Sequence, residues 1–240
     1  MTTLGIIGSG NIGTAVARLA VAADLPVVIS NSRGPRSLTG LIDELGPLAT
    51  ADTVEQAASA DLVLLSVPLA AHTAIPAALL ADKTVLDTSN YYPSRDGRIA
   101  ELDNNTLTTS ELVHRHLAEA RLVKAFSNIL FHHIPQLTRP ATSPGSADRT
   151  TLPIAGDDAN AKTDAAALIN RLGFDTIDTG SLADSWRFEP DSAAYTRLYL
   201  ADPTTPDAQL FTAPGRPVLA AELRTALQAA QRVRVADRVI

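Results

Sequence analysis

Three glycines near the start of the chain carry the first chemical signal. Gly8-Ser9-Gly10-Asn11-Ile12-Gly13 has the spacing G-x-G-x-x-G, follows the short apolar run Leu4-Gly5-Ile6-Ile7, and opens a stretch with helical periodicity. In that setting Gly8 permits a tight turn. Gly10 has no Cβ and lets a pyrophosphate approach the backbone, and Gly13 lets the helix pack close to a sheet. A helix beginning there offers free N–H groups and partial positive charge to phosphates. The bland alternative is a tight strand-to-helix turn that binds nothing.

The second signal is Ser30-Asn31-Ser32-Arg33-Gly34-Pro35-Arg36-Ser37. A site for plain NAD usually places Asp or Glu about 20 residues after the glycines, to hold the ribose 2′-hydroxyl, and this stretch has no carboxylate. Arg33 can stack on adenine and pair with a 2′-phosphate, and Asn31, Ser32 and Ser37 can donate hydrogen bonds to it, with Arg36 a second cation. The residues therefore favour NADP(H) over NAD(H), against the alternative of a solvated turn. Ligands of open α/β sheets sit outside the carboxyl ends of the strands. That adds Ser66-Val67-Pro68 and Thr88-Ser89-Asn90 as cofactor-side candidates, or as ordinary strand-to-loop punctuation.

Strands and helices must alternate to position these groups, and the first ninety residues do so. After Leu4–Ile7, residues 11–23 read as a helix with Ile12, Ala15, Val16 and Leu19 on one stripe. Val27-Val28-Ile29, Leu48-Ala49-Thr50, Leu62–Val67 and Thr84–Asp87 read as strands. Helices are expected over 37–45, after Asp52 or Thr53, and from Pro68 through Ala81. Later, Leu122–Phe126, Leu152–Ala155 and Phe174–Ile177 read as strands, 141–151 as a loop, and 157–172 as a helix stopped by Gly173. The fold class is α/β: a Rossmann-type, doubly wound, mainly parallel sheet. Residues 1–180 form the expected NADP-binding domain. Residues 181–240 form a small helical and irregular extension, ending in a helix over 218–235 whose Leu219, Leu223, Leu227 and Ala230 share a face. The arginines Arg224, Arg232, Arg234 and Arg238 read as its solvated face.

Composition narrows the function. The chain has 240 residues, a net charge of −6, and no cysteine. The acidic balance speaks against nucleic-acid or anionic-membrane partners, and the lack of cysteine removes thiol nucleophiles and cysteine-ligated metals. The N-terminus lacks a basic signal-peptide region and no apolar run nears the roughly 18 residues of a membrane helix. The expectation is a cytoplasmic protein with a small-molecule partner. No metal site is expected at His114/His116 or His132/His133, which lack nearby carboxylates at ligand spacing.

The opening Gly-Ile-Ile-Gly-Ser-Gly-Asn-Ile-Gly with Ser32-Arg33 resembles the coenzyme F420-dependent NADP oxidoreductase family. The stretches Leu122–Ile129, Pro153–Asp158 and Asp178–Arg187 extend the resemblance over roughly residues 4–190. It implies a Rossmann domain, hydride exchange between NADP(H) and a deazaflavin, F420, or a related flavin, and a homodimer. By motif match, Ser9, Asn11, Ile12, Ser32 and Arg33 take the NADP contacts. The chain departs from the pattern at Ser127, where archaeal members carry histidine, and from Glu189 onward.

Such a transfer needs orientation and exclusion of water more than catalytic side chains, because the cofactors carry the chemistry. No catalytic residue is therefore assigned. Ser127, Asn128 and Trp186 are the candidate acceptor walls, with Phe188 read rather as packing and His132 as a surface histidine. Two other functions compete. An NADPH-dependent imine or ketone reductase would need a proton donor, for which Lys124, Tyr91 or Tyr92 are the candidates. A non-catalytic NADP(H)-sensing module would need none.

Overall fold

The computed structural model describes residues 2–235. Arg238 and the last five residues lie outside the described residues. Eight strands form one sheet: β1 (Leu4–Ile7), β2 (Val27–Ser30), β3 (Ala49–Ala51), β4 (Leu62–Leu65), β5 (Thr84–Asp87), β6 (Arg121–Lys124), β7 (Thr151–Gly156) and β8 (Asp175–Asp178). Their order is β3-β2-β1-β4-β5-β6-β7-β8. β1 to β6 are mutually parallel. β7 runs antiparallel to β6, pairing Val123 with Gly156, and β8 is parallel to β7. This is the doubly wound, mainly parallel α/β fold expected. The order reverses between β1 and β4, which is where such sheets open a crevice.

Nine helices flank the sheet among the described residues: α1 (Asn11–Ala22), α2 (Thr39–Leu45), α3 (Val54–Ala58), α4 (Pro93–Asp96), α5 (Ala100–Asp103), α6 (Thr109–His116), α7 (His133–Leu137), α8 (Ala159–Arg171) and α9 (Ala220–Ala229). Side chains alternate along each strand. Leu4, Ile6, Leu64, Leu86 and Val123 therefore enter one apolar layer, while Ile7, Val63, Leu65, Val85 and Leu122 enter the other. A strand buried on both faces must be apolar throughout, which is why Leu62–Leu65 lacks alternation.

Local signals account for the helix starts. Thr53 accepts from the Gln56 N–H, and Asp158 accepts from the Ala161 N–H. Thr108 and Glu111 form a reciprocal capping box that starts α6. Thr108-x-x-Glu111 was a readable signal in the sequence, although the reading above placed no helix there.

Two expectations fail for identifiable reasons. Residues 69–81 form two 3₁₀ turns, Leu69–Ala74 and Ala77–Leu80, rather than an α-helix. Pro76 supplies no N–H and holds Ile75 extended, with φ −81° and ψ 120°. The terminal helix is ten residues, Ala220–Ala229, not the full 218–235. Beyond it the chain leaves the helix and is tied down elsewhere: Asn105 Nδ2 donates to the Val233 carbonyl (3.2 Å) and the Arg232 guanidinium donates to the Leu107 carbonyl (2.9 Å). Leu219 precedes α9 and is exposed, whereas Leu223 and Leu227 are buried as the stripe required.

The loop between α7 and β7 is organised by one cation. Arg149 is 1% exposed. Its guanidinium donates to the carbonyls of Arg139, Thr142, Asn170 and Phe174 and to Asp175 Oδ1 at 2.8 Å. A charge buried this deeply is tolerated only because every donor direction is used. Arg149→Met removes the cation and strands four carbonyls and a carboxylate. It should lower unfolding stability by about 3–5 kcal/mol, read as a shift of the urea midpoint. A change under about 1 kcal/mol would contradict this account of the loop.

Candidate functional site

The glycine turn joins β1 to α1 at the reversal point. Gly8 has φ +110°, and a Cβ on it would lie 2.1 Å from the Ser66 carbonyl oxygen, so only glycine fits between these two strand ends. A Cβ on Gly13 would lie 2.0 Å from the Gly8 oxygen. A Cβ on Gly10 would meet nothing within 4 Å, so its bare α-carbon faces open space. α1 begins with no side-chain cap and no acidic residue in its first turn. Its first N–H groups are left for a ligand, at the positive end of the helix dipole.

Asn31, at the end of β2, ties this turn to the following loop. Its Nδ2 donates to Ser9 Oγ (3.0 Å) and to Ser37 Oγ (2.9 Å), and its Oδ1 accepts the Arg33 N–H (2.9 Å). Ser32, Arg33, Arg36 and Ser37 are exposed beside the turn. Neither Arg33 nor Arg36 has an ion pair among the described residues.

From the turn a cleft of about 250 Å³ runs across the strand ends. It brings together Gly10, Asn11 and Ile12 with Ser66, Val67 and Pro68 of the β4 end. Asn90 after β5 and Ser127 after β6 also line it. Ser89 Oγ, Asn90 Oδ1 and Ser127 Oγ are buried along this wall without hydrogen-bond partners. Asn90 Nδ2 donates to the Ser127 carbonyl (2.6 Å), joining the two strand ends. Phe126, just before Ser127, is held at φ +54° with its ring buried edge-on against Phe174. That is a strained conformation for a bulky residue, and such strain tends to sit at functional positions.

Two expected acceptor residues lie elsewhere. Asn128 is fully buried and donates to the Ala194 carbonyl and to the Tyr199 hydroxyl, both at 2.9 Å, so its amide holds the C-terminal segment instead of facing the cleft. Trp186 stacks with the Arg187 guanidinium at 4.6 Å and borders a separate crevice beside Arg232 and Val233. Phe188 is core. Lys124 is also buried: its ammonium donates to the Ser89 carbonyl (2.8 Å) and lies 3.6 Å from Glu189. Tyr91 is buried and its hydroxyl donates to Asp103 (2.9 Å).

Besides Tyr92, named above only as a proton donor for the reductase alternative, the cleft has walls that the sequence reading did not assign. Tyr92 and Tyr195 face it with their hydroxyls in contact. Arg95 lies over the Tyr92 ring at 4.8 Å. Phe131 and Phe211 stack at 6.2 Å, with Phe211 64% exposed. Burial, and then the neighbouring Tyr92, push the Tyr195 phenol well above its ordinary range.

Tyr195 and Phe211 come from an aperiodic stretch that gave no pattern to read. His132 and His133 lie behind this wall. Both direct Nε2 at the Ala213 carbonyl, at 3.0 and 2.9 Å, and so pin the segment that carries Phe211. No described helix is long and apolar enough to cross a membrane.

Residues 3–91 match the family model described as NADP oxidoreductase, coenzyme F420-dependent. A hypothetical protein of Sinorhizobium meliloti, known from its crystal structure, is 33% identical, covers 77% of this chain and 88% of its own, and superposes with a TM-score of 0.65. The chain belongs to the coenzyme F420-dependent NADP oxidoreductase family. Its members are NAD(P)-dependent oxidoreductases. An Arthrobacter sp. protein, assigned provisionally as an F420-dependent NADP-reductase, shares the fold at 24% identity, with 77% and 87% coverage and a TM-score of 0.63. Rat metalloreductase STEAP3 is 29% identical over 189 residues, 78% of this chain and 35% of its own. The chain spans about a third of the length of the curated relatives it matches.

His133 makes the Phe211 wall sensitive to acid. Burial, and then the adjacent His132, hold the His133 imidazole below its ordinary range, partly offset by its bond to Ala213. The folded protein then binds the proton less readily than the unfolded chain. Stability from this group is present above the unfolded value of about 6.5 and declines as pH falls below it. His133→Gln keeps an N–H donor without the titration. The drop in melting temperature on moving from neutral pH to about one unit below 6.5 should be smaller in the variant than in the parent. An equal drop would remove His133 from the account.

Proposed function

We propose that this chain is an enzyme that transfers hydride between NADP(H) and a planar deazaflavin or flavin acceptor. The observation that carries the reading is the Asn31 bridge, which fixes the glycine turn and the Ser32–Ser37 loop as one surface. That surface offers a helix N-terminus and two unpaired arginines without a carboxylate to oppose a 2′-phosphate. Gly8, Ser9, Gly10, Asn11 and Ile12 would hold the diphosphate. Asn31, Ser32, Arg33 and Ser37 would hold the adenosine end, and Ser66, Val67, Pro68 and Asn90 would border the nicotinamide half.

The residues fit such a ligand. Gly10 opens onto free space, and the orphaned atoms of Ser89, Asn90 and Ser127 need partners that an amide-bearing ring can supply. When bound, the nicotinamide supplies the hydride. The chain orients it and lines the rest of the cleft with apolar and aromatic groups that exclude water. The Phe131–Phe211 stack favours a flat aromatic acceptor. Cytoplasmic location rests on the acidic, cysteine-free composition, and the homodimer on the family resemblance. A second reading, an imine or ketone reductase, is favoured by the Tyr92–Tyr195 contact, because that chemistry needs a proton donor in the site.

Arg33→Ala tests the cofactor assignment. It should lose a charge-assisted bond of about 1.5–3 kcal/mol to NADPH, a weakening of roughly 10- to 100-fold, while NADH binding stays unchanged. Calorimetric titration of both cofactors decides it. Equal weakening of the two would remove the 2′-phosphate contact. Loss of NADPH absorbance on mixing with F420, FMN or a panel of small imines and ketones identifies the acceptor class.

A further inference from the structure

Two phenols meet in the cleft. Tyr92 precedes α4, just after the β5 end. Tyr195 arrives from the C-terminal segment 103 residues later and starts the 3₁₀ turn Thr196–Tyr199. Their hydroxyls touch, and the Tyr195 oxygen also accepts Asn90 Nδ2 at 3.4 Å. Both side chains line the same cleft as Asn11, Pro68 and Ser127. The other groups lining it are glycine, amides, hydroxyls and hydrocarbon, apart from the Arg95 guanidinium. A guanidinium does not give up its proton, and serine or threonine hydroxyls are far weaker acids than a phenol. Among the described lining residues, the two tyrosines are therefore the groups suited to donate a proton and be refilled.

We propose that Tyr195, with Tyr92 behind it, is the proton donor that completes hydride transfer to the acceptor. The inference rests on reading the cleft as the meeting place of nicotinamide and acceptor. The reaction balances as hydride plus proton. The nicotinamide is oxidised as its C–H bond breaks, and that electron pair forms the new C–H bond of the acceptor, which is reduced. The acceptor oxygen or nitrogen that receives the displaced pair takes the proton from the Tyr195 oxygen. Tyr92 passes its own proton to Tyr195, and water restores Tyr92.

The surroundings suit this order. Burial of Tyr195, the adjacent Tyr92 and the charge of Asp191 keep its proton on at neutral pH, while the Thr196 hydroxyl works the other way. The Asn90 amide and the Tyr92 hydroxyl stand ready to stabilise the phenolate once the proton has left. Arg95 over the Tyr92 ring favours negative charge in the pair.

Tyr195→Phe and Tyr92→Phe in the full chain test the proposal. Calorimetry should show NADPH bound by both variants within about twofold of the parent. In stopped-flow with NADPH and either F420 or FMN, Tyr195→Phe should slow transfer about 100-fold or more and abolish the solvent deuterium effect expected of the parent. Tyr92→Phe should slow it less and shift its pH profile.

A readout independent of turnover is the ultraviolet titration of the chain's four tyrosines. Removing either phenol of the pair should move the ionisation of the other. Parent-like transfer with an unchanged pH profile in Tyr195→Phe overturns the inference and leaves the proposed function standing. If a parent protein that binds NADPH turns over neither acceptor, the phenol titration decides, and uncoupled phenols overturn the inference. A parent protein that ignores NADPH overturns the proposed function, and this inference with it.

Discussion

The close passage of Gly8 under the Ser66 carbonyl is the constraint on which the site depends. With a methyl group at position 8 the β1 and β4 ends could not stay at hydrogen-bonding distance, yet the Ser66 N–H bonds the Ile7 carbonyl there at 2.8 Å. The same pattern repeats outward. Gly8 N–H bonds the Ser30 carbonyl, Thr88 N–H the Leu65 carbonyl, and Ala125 N–H the Asp87 carbonyl. Each strand end is thus held one residue beyond the regular sheet. The side chains that follow, Asn31, Ser66, Asn90 and Ser127, are delivered to a common edge. The cleft is a consequence of where the ladder stops, and the ladder stops there because glycine lets two backbones touch.

The C-terminal segment reaches this edge by a different kind of contact. Glu189 accepts the Thr109 N–H and pairs with buried Lys124, which also donates to the Ser89 carbonyl. Asn128 bonds Ala194 and Tyr199, and the Tyr199 hydroxyl donates to the Thr151 carbonyl. Buried charges and amides of this sort contribute little net stability, since desolvation offsets most of their attraction. They are demanding about direction, however, because a misplaced segment would leave several of them unpaired at once. The polar pins therefore explain how a stretch with little regular structure can place Tyr195 against Tyr92 reproducibly.

This division also explains what was legible beforehand. The β1–α1–β2 unit could be read residue by residue because its chemistry is local: glycines at fixed spacing, an apolar stripe, and an arginine loop where a carboxylate would otherwise stand. Its candidate ligand contacts, Gly8 to Ile12 and Asn31 to Ser37, lie on the turn and the adjoining loop. Asn128 and Trp186 lie away from the cleft because closeness in sequence to a strand end says nothing of side-chain direction. Asn128 follows the cleft residue Ser127 and points the opposite way, into the core. Tyr195 and Phe211 were invisible because their contacts span 103 and 80 residues, to Tyr92 and Phe131, and no periodicity encodes such a distance. The failed helix over 69–81 is a case where apolar composition outweighed Pro76 in the reading but not in the chain.

Phe211 shows how the two halves differ in kind. A phenylalanine ring that stays mostly in water forgoes about 1.5–3 kcal/mol relative to full burial, and here the stack on Phe131, the His132–His133 grip on Ala213 and the Gln136 bond to the Gly215 N–H help hold its segment. The glycine-turn side of the cleft is fixed by backbone that cannot tolerate a Cβ at Gly8 or Gly13. The Phe211 side is fixed largely by side chains that can be exchanged one at a time. A chain built this way can change the aromatic wall of its cleft without disturbing the glycine turn. The family model accordingly matches residues 3–91, the part that holds the glycine turn.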